Sequence, residues 1–113
     1  MPTYNKLVRD NILEIIEANG LQYNARVLEA EELVKEVKAK MVEEALEFEK
    51  ADDKKEAIEE LADILELVHA AINVLGISYE ELEEVRHHKK EKRGGFEKAI
   101  YLIDVEKDKA HKE

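Results

Sequence analysis

The sequence predicts a mainly α-helical, four-helix bundle-like fold with two short strands toward its ends, assembled as an oligomer. Three observations carry this reading. Apolar residues recur at helical spacing through three segments, and a capping box opens a fourth. The second and third of these are joined by so short a polar link that they must lie antiparallel. The third is apolar around almost its whole circumference, and such a helix must be buried all round.

The first helical segment is residues 5–19, where Leu7, Val8, Ile12, Ile15 and Ile16 share one face and Gly20 supplies the stop. Residues 21–28 follow, with Tyr23, Ala25 and Val27 alternating with Asn24, Arg26 and Leu28, the pattern of a short strand. A long helix is predicted over residues 30–50, its apolar stripe formed by Leu33, Val37, Met41, Ala45 and Phe48. The link Ala51-Asp52-Asp53-Lys54 comes next, and either Asp52 or Asp53 can cap the helix of residues 54–75, which closes at Gly76. Ser78 and Glu81 have the spacing of a capping box and open a last helix that runs to about Lys92, broken by Gly94-Gly95. Residues 96–105 read as a second strand, pairing with residues 23–28, and the polar tail from Glu106 is expected to fray.

At 113 residues the chain fits a single domain, 1–113. It lacks cysteine, which excludes disulfides, thiolate nucleophiles and zinc-thiolate sites. The apolar stretches of residues 61–77 are interrupted by Asp63, Glu66, His69 and Asn73, so no membrane span is expected. The first six residues lack the apolar block of a signal peptide, and a cytoplasmic location is the expectation.

A net charge of −10 argues against polymeric nucleic acid as a partner. The imbalance is local. Residues 43–66 hold eleven acids against three lysines, whereas residues 86–93 hold five bases against Glu91. An acidic centre suits a metal and a basic segment suits its anionic ligand, although a solvated surface of mixed charge would produce the same counts.

Four carboxylates stand out. Glu44 shares its helix face with Val37, Met41 and Phe48, and Glu60 shares its own with Ala57, Ile64 and Leu67. Glu47 and Asp63 follow each of them by one turn. An ionised carboxylate on an apolar stripe is costly unless paired or bound to a cation. Two antiparallel helices would bring Glu44, Glu47, Glu60 and Asp63 to one seam, where a divalent cation offsets their repulsion. Magnesium fits, with its preference for hard oxygen ligands and its habit of bridging to phosphates, and manganese can substitute. The histidines His87, His88 and His111 lie outside the acidic segment, so no softer site competes. The plainer alternative is a salt-bridged helix face, with Lys40 pairing Glu44 at i,i+4 and Glu43, Glu56 and Glu59 turned to solvent. His69 and Asn73 fall on the narrow polar strip of the third helix, where core hydrogen bonding is the expected role.

The pairing of Glu43-Glu44-Ala45-Leu46-Glu47 with Glu60-Leu61-Ala62-Asp63 resembles the EExxE and ExxD signature of the MazG-like all-α NTP pyrophosphatases, a superfamily that includes the phosphoribosyl-ATP pyrophosphohydrolases. The opening Tyr4-Asn5-Lys6-Leu7-Val8-Arg9-Asp10 is similar to the start of small single-domain members, departing at Asn11 and Leu13, where those often carry lysine and proline. Lys92-Arg93-Gly94-Gly95-Phe96 resembles their basic, glycine-containing segment. The resemblance implies that Glu44, Glu47, Glu60 and Asp63 hold Mg²⁺ and that a nucleoside triphosphate is hydrolysed to the monophosphate and pyrophosphate, in cleaning the nucleotide pool. Glu47 is then the candidate base that takes the proton of the attacking water. Lys6, Arg9, Lys92 and Arg93 are the candidates for holding phosphate oxygens. Gly94-Gly95 would let backbone amides approach an anion, or would simply be a turn. The assembly implied is a homodimer or homotetramer. Two readings stand beside this one: hydrolysis of phosphoribosyl-ATP, and a non-catalytic helical dimer whose acidic seam is a docking surface.

Overall fold

The computed structural model describes residues 2–107, and within them the chain is helical, in the order α1 (Ile12–Ala18), α2 (Ala30–Lys50), α3 (Lys54–Leu75) and α4 (Tyr79–Arg93). It divides into two compact units, one reaching to Ile77 and the other beginning at Ser78. No strand occurs among the described residues. The polar tail expected to fray lies outside them beyond Lys107.

In the first unit the α2–α3 hairpin is the organising element. Three residues join the helices, and α2 runs along α3. Of the two acids that could cap α3, Asp53 does so: its Oδ1 accepts from the Glu56 amide at 2.8 Å, while the Asp52 amide donates to Glu56 Oε2 at 3.1 Å. At the far end Gly76 turns left-handed with φ 74, and its amide and that of Ile77 donate to Asn73 and Ile72 carbonyls. These two bonds close the helix in the manner of a Schellman stop. Gly20 ends α1 the same way, with φ 74 and the Leu21 amide donating back to Ile16.

Among the described residues the buried apolar side chains are Val37 on α2 and Leu67 and Ile72 on α3. Both helices also carry exposed apolar residues, Val42 and Leu46 on α2 and Ile58, Leu61, Leu65 and Leu75 on α3. The burial all round that the sequence of α3 calls for is therefore not met inside one chain. His69 and Asn73, expected to hydrogen-bond in a core, are exposed in the single chain, as are Leu65 and Leu75 on the same helix.

Three further expectations are corrected. Helix α1 covers seven residues rather than residues 5–19. The backbone turns left-handed at Asn5, φ 45, and residues 2–9 form an irregular arm. Its Lys6 and Arg9 pair with acids on α2 and α3, and a helix of this length is marginal on local bonds alone. Residues 21–28 are not a strand. Tyr23 donates to Glu17 on α1 at 2.9 Å and Arg26 forks onto Glu32 on α2 at 2.8 and 3.2 Å, so side chains, not a ladder, hold this link. Residues 96–105 are likewise no strand. A strand needs a partner to bond its backbone, and two short segments make a marginal pair at best.

In the second unit Ser78 and Glu81 form the predicted capping box, with the Glu81 amide donating to Ser78 Oγ at 3.1 Å and the Ser78 amide to Glu81 Oε1 at 3.2 Å. The helix ends on Lys90, Lys92 and Arg93, cations that suit its negative pole, and Gly94 leaves it with φ 84. No single helix among the described residues is long and apolar enough to cross a membrane.

Candidate metal centre

The seam follows from the spacing. Glu44 lies seven residues after the buried Val37, and Glu60 seven before the buried Leu67. In an antiparallel pair, equal offsets in opposite directions put the two carboxylates at one level, on faces already turned toward each other. Asp63 follows Glu60 by one turn. Carboxylate oxygens of Glu44, Glu60 and Asp63 all lie within 4.8 Å of one another, and each residue is partly buried. Mg²⁺ takes oxygen ligands at about 2.0–2.1 Å, so the three side chains would have to draw in further to share one ion.

Electrostatics mark Glu60 as the centre of strain. Its Oε2 is shut off from solvent with no hydrogen-bond partner. Desolvation, the contact with Glu44 and the charges of Asp63 and Glu47 together push its pKa up from the ordinary 4.5. The Glu44–Glu60 contact becomes a hydrogen bond when one of the two carboxyls holds a proton. At neutral pH a bound divalent cation would serve the same oxygens. The donor set, all carboxylate and short of one partner, fits a hard cation.

Glu47, the fourth acid of the seam, stands outside the trio. It is exposed, bears electrostatically on Glu60, and lines a shallow cleft with Lys50, Ala51, Glu56, Glu59 and Glu60. Glu56 and Glu59 face solvent as expected, but Glu43 does not. It is half-buried, accepts from Lys6 Nζ at 2.8 Å, and has Lys40 Nζ at 3.8 Å. The partner of Lys40 is thus Glu43 rather than Glu44. Lys6 holds the Glu43 pKa below the usual carboxylate value, Lys40 assisting, and the hydrogen bond to Glu43 raises that of Lys6.

Two sequence-predicted phosphate ligands come to this same face. Lys6 reaches Glu43, and Arg9 Nη2 donates to Asp63 Oδ1 at 2.6 Å. Lys92 and Arg93 stand in the last turn of α4, in the second unit. Sequence reasoning missed the part Glu43 plays and the acids that Lys6 and Arg9 would choose. The available signal was the proximity in charge of a basic arm and an acidic segment, but the partners are 37 and 54 residues apart.

A helical hairpin here gathers hard oxygen donors, with a lysine and an arginine held beside them. The model of the phosphoribosyl-ATP pyrophosphohydrolase family matches the chain over residues 7–90, a span that contains the whole hairpin. The chain belongs to that family, within the MazG-like all-α NTP pyrophosphatase superfamily. No curated protein and no solved structure matches it.

Proposed function

We propose that this chain is a Mg²⁺-dependent pyrophosphohydrolase that converts a (d)NTP and water to a (d)NMP and pyrophosphate, in the service of nucleotide-pool cleaning. The observation that carries the reading is the convergence of Glu44, Glu60 and Asp63 within 4.8 Å, with one buried oxygen of Glu60 lacking a partner. These three, with Glu47 one turn further on, would hold the ion. When bound, Mg²⁺ supplies charge neutralisation at the phosphates and lowers the pKa of an attacking water. Glu47, exposed at the cleft, takes the proton of that water as it adds to phosphorus, and the pyrophosphate leaves with the bridging oxygen. Lys6 and Arg9 hold phosphate oxygens beside the ion, and Lys92 and Arg93 of the second unit are suited to the same task, the arginines by their planar fork.

The description of the matching family favours a second reading equally, in which the triphosphate cleaved is that of phosphoribosyl-ATP. Pyrophosphate release from a panel of (d)NTPs and phosphoribosyl-ATP, with Mg²⁺ and with Mn²⁺, separates the two. Turnover of (d)NTPs supports the first. Turnover of phosphoribosyl-ATP alone transfers the assignment to the second. No turnover of any nucleotide would sink both and leave a non-catalytic docking module.

The same hairpin supports assembly as a homodimer or homotetramer. Val42 and Leu46 on α2 with Ile58, Leu61 and Leu65 on α3 are exposed in the single chain, and a second copy of the hairpin would cover such surface.

A further inference from the structure

Two ion pairs tie the N-terminal arm to the acidic face, and one of them uses a carboxylate that a metal ion needs. Arg9 donates to Asp63 Oδ1 at 2.6 Å, and Asp63 is one of the three converging acids. A guanidinium bonded to Asp63 and a divalent cation bound at the same carboxylate repel each other, so each weakens the other's hold on it. The pair is also easily exchanged. Its side chains are 56 and 38 % exposed, and solvent screens such contacts until they are worth little.

The pairing is single-pronged. Arg26 grips Glu32 with two nitrogens on two oxygens, the full fork. Arg9 reaches Asp63 through Nη2 alone, which leaves other donors of its guanidinium available. The arm is held by side-chain pairs rather than by a helix or a ladder. Residues 2–9 have no regular secondary structure, and the left-handed turn at Asn5 precedes Lys6. Lys6, held by Glu43 with Glu44 and Glu47 in electrostatic range, anchors the arm on the acidic face independently of Arg9.

We propose, resting on the metal-dependent reading above, that Arg9 is a positioning residue that exchanges anions: it holds Asp63 before a divalent cation binds and swings to a substrate phosphate afterwards. Lys6 keeps the arm in place during the exchange. Cation binding and the docking of Arg9 on Asp63 then oppose each other, and by linkage each weakens the other by the same factor. The charge of Asp63 is thereby offset before the ion arrives, and the arginine is released to the phosphates by the ion that brings them.

The test uses the full chain and Mn²⁺ alone as probe, its free concentration read by electron paramagnetic resonance. Arg9→Gln should bind Mn²⁺ about two- to fivefold tighter than the parent, because a competitor worth that much has been removed. The same variant should show a raised KM for the nucleotide, and Arg9→Lys should fall between the two in both measurements. Hydrogen exchange of the amides of residues 3–11 should quicken on adding Mn²⁺ and slow again with a non-hydrolysable triphosphate. Unchanged or weaker Mn²⁺ binding by Arg9→Gln of parental helicity would overturn the exchange and make Arg9 a fixed clamp. Asp63→Asn and Glu44→Gln separate this failure from a deeper one: if neither weakens Mn²⁺ binding, the metal-centre reading itself is lost.

Discussion

Glu60 and Glu44 face each other with no proton to share once both are ionised, and the buried Oε2 of Glu60 has no partner. The raised pKa of Glu60 has a definite sign as a stability effect. Its folded value lies above the unfolded one, so its contribution is fully present below the unfolded value near 4.5 and is lost as pH rises through the folded value. The melting temperature of the metal-free protein should therefore fall as pH increases from the ordinary Glu range toward neutrality. Glu60→Gln, which supplies N–H donors without charge, should flatten that component, and superposable curves for the two proteins in scanning calorimetry would refute the assignment. The ligands allow a sharper test of chemistry. Glu44→Gln and Asp63→Asn should each lower pyrophosphate release by roughly a hundredfold or more while circular dichroism shows parental helicity. Activity within a few-fold of the parent in either variant would remove that residue from the metal centre.

At the scale of elements, helix ends decide where the carboxylates stand. Asp53 caps α3 seven residues before Glu60, so fraying of this first turn would loosen the seam. Asp53→Ala should cost about 1 kcal/mol in urea unfolding, whereas Asp52→Ala should cost clearly less, since the backbone amide of Asp52, not its side chain, makes the bond to Glu56. Equal losses would contradict the observed cap. Gly76, with φ 74 and open space beside it, ends α3 in a conformation that an L side chain resists. Gly76→Ala should destabilise by about 1 kcal/mol through backbone strain alone. The arm of residues 2–9 belongs to this scale too: it is attached by side chains, and its backbone meets regular structure where the Ile12 amide donates to the Arg9 carbonyl at 3.1 Å.

At the scale of the molecule, burial is the issue. Within the described residues the buried apolar set is three side chains, while Ile58, Leu61 and Leu65 run exposed along α3. Light scattering coupled to size exclusion should find a dimer or tetramer. Leu65→Glu should reduce it to smaller species, because a charge in a covered apolar face is left unpaired. A monomeric parent, or an assembly indifferent to Leu65→Glu, would rule out this face as the interface.

The local signals proved sufficient for α2, α3 and α4. Apolar periodicity set the spans of α2 and α3, Asp53 capped the start of α3, the Ser78–Glu81 box that of α4, and Gly76 and Gly94 set two of the ends. Each of these acts within a few residues, through one turn of helix or one cap, so the chain carries it in linear form. The same holds for Glu44 and Glu60, conspicuous as acids on apolar faces, and for the family signature they share with Glu47 and Asp63. Two short segments with strand-like alternation misled, because alternation says how a strand would present its faces but not whether a partner exists. Which acids converge, and which meet the arm instead, depended on the path of the folded chain. Lys6 and Glu43 are 37 residues apart and Arg9 and Asp63 are 54 apart. Their pairing is set by the register of the hairpin and the course of the arm across it, and long-range electrostatics leaves no periodic trace in the order of residues. The sequence by itself determined the three longer helices and their carboxylates; the tertiary structure decided that Glu44, Glu60 and Asp63 meet, that Glu47 stands aside, and that Arg9 pairs with one of them.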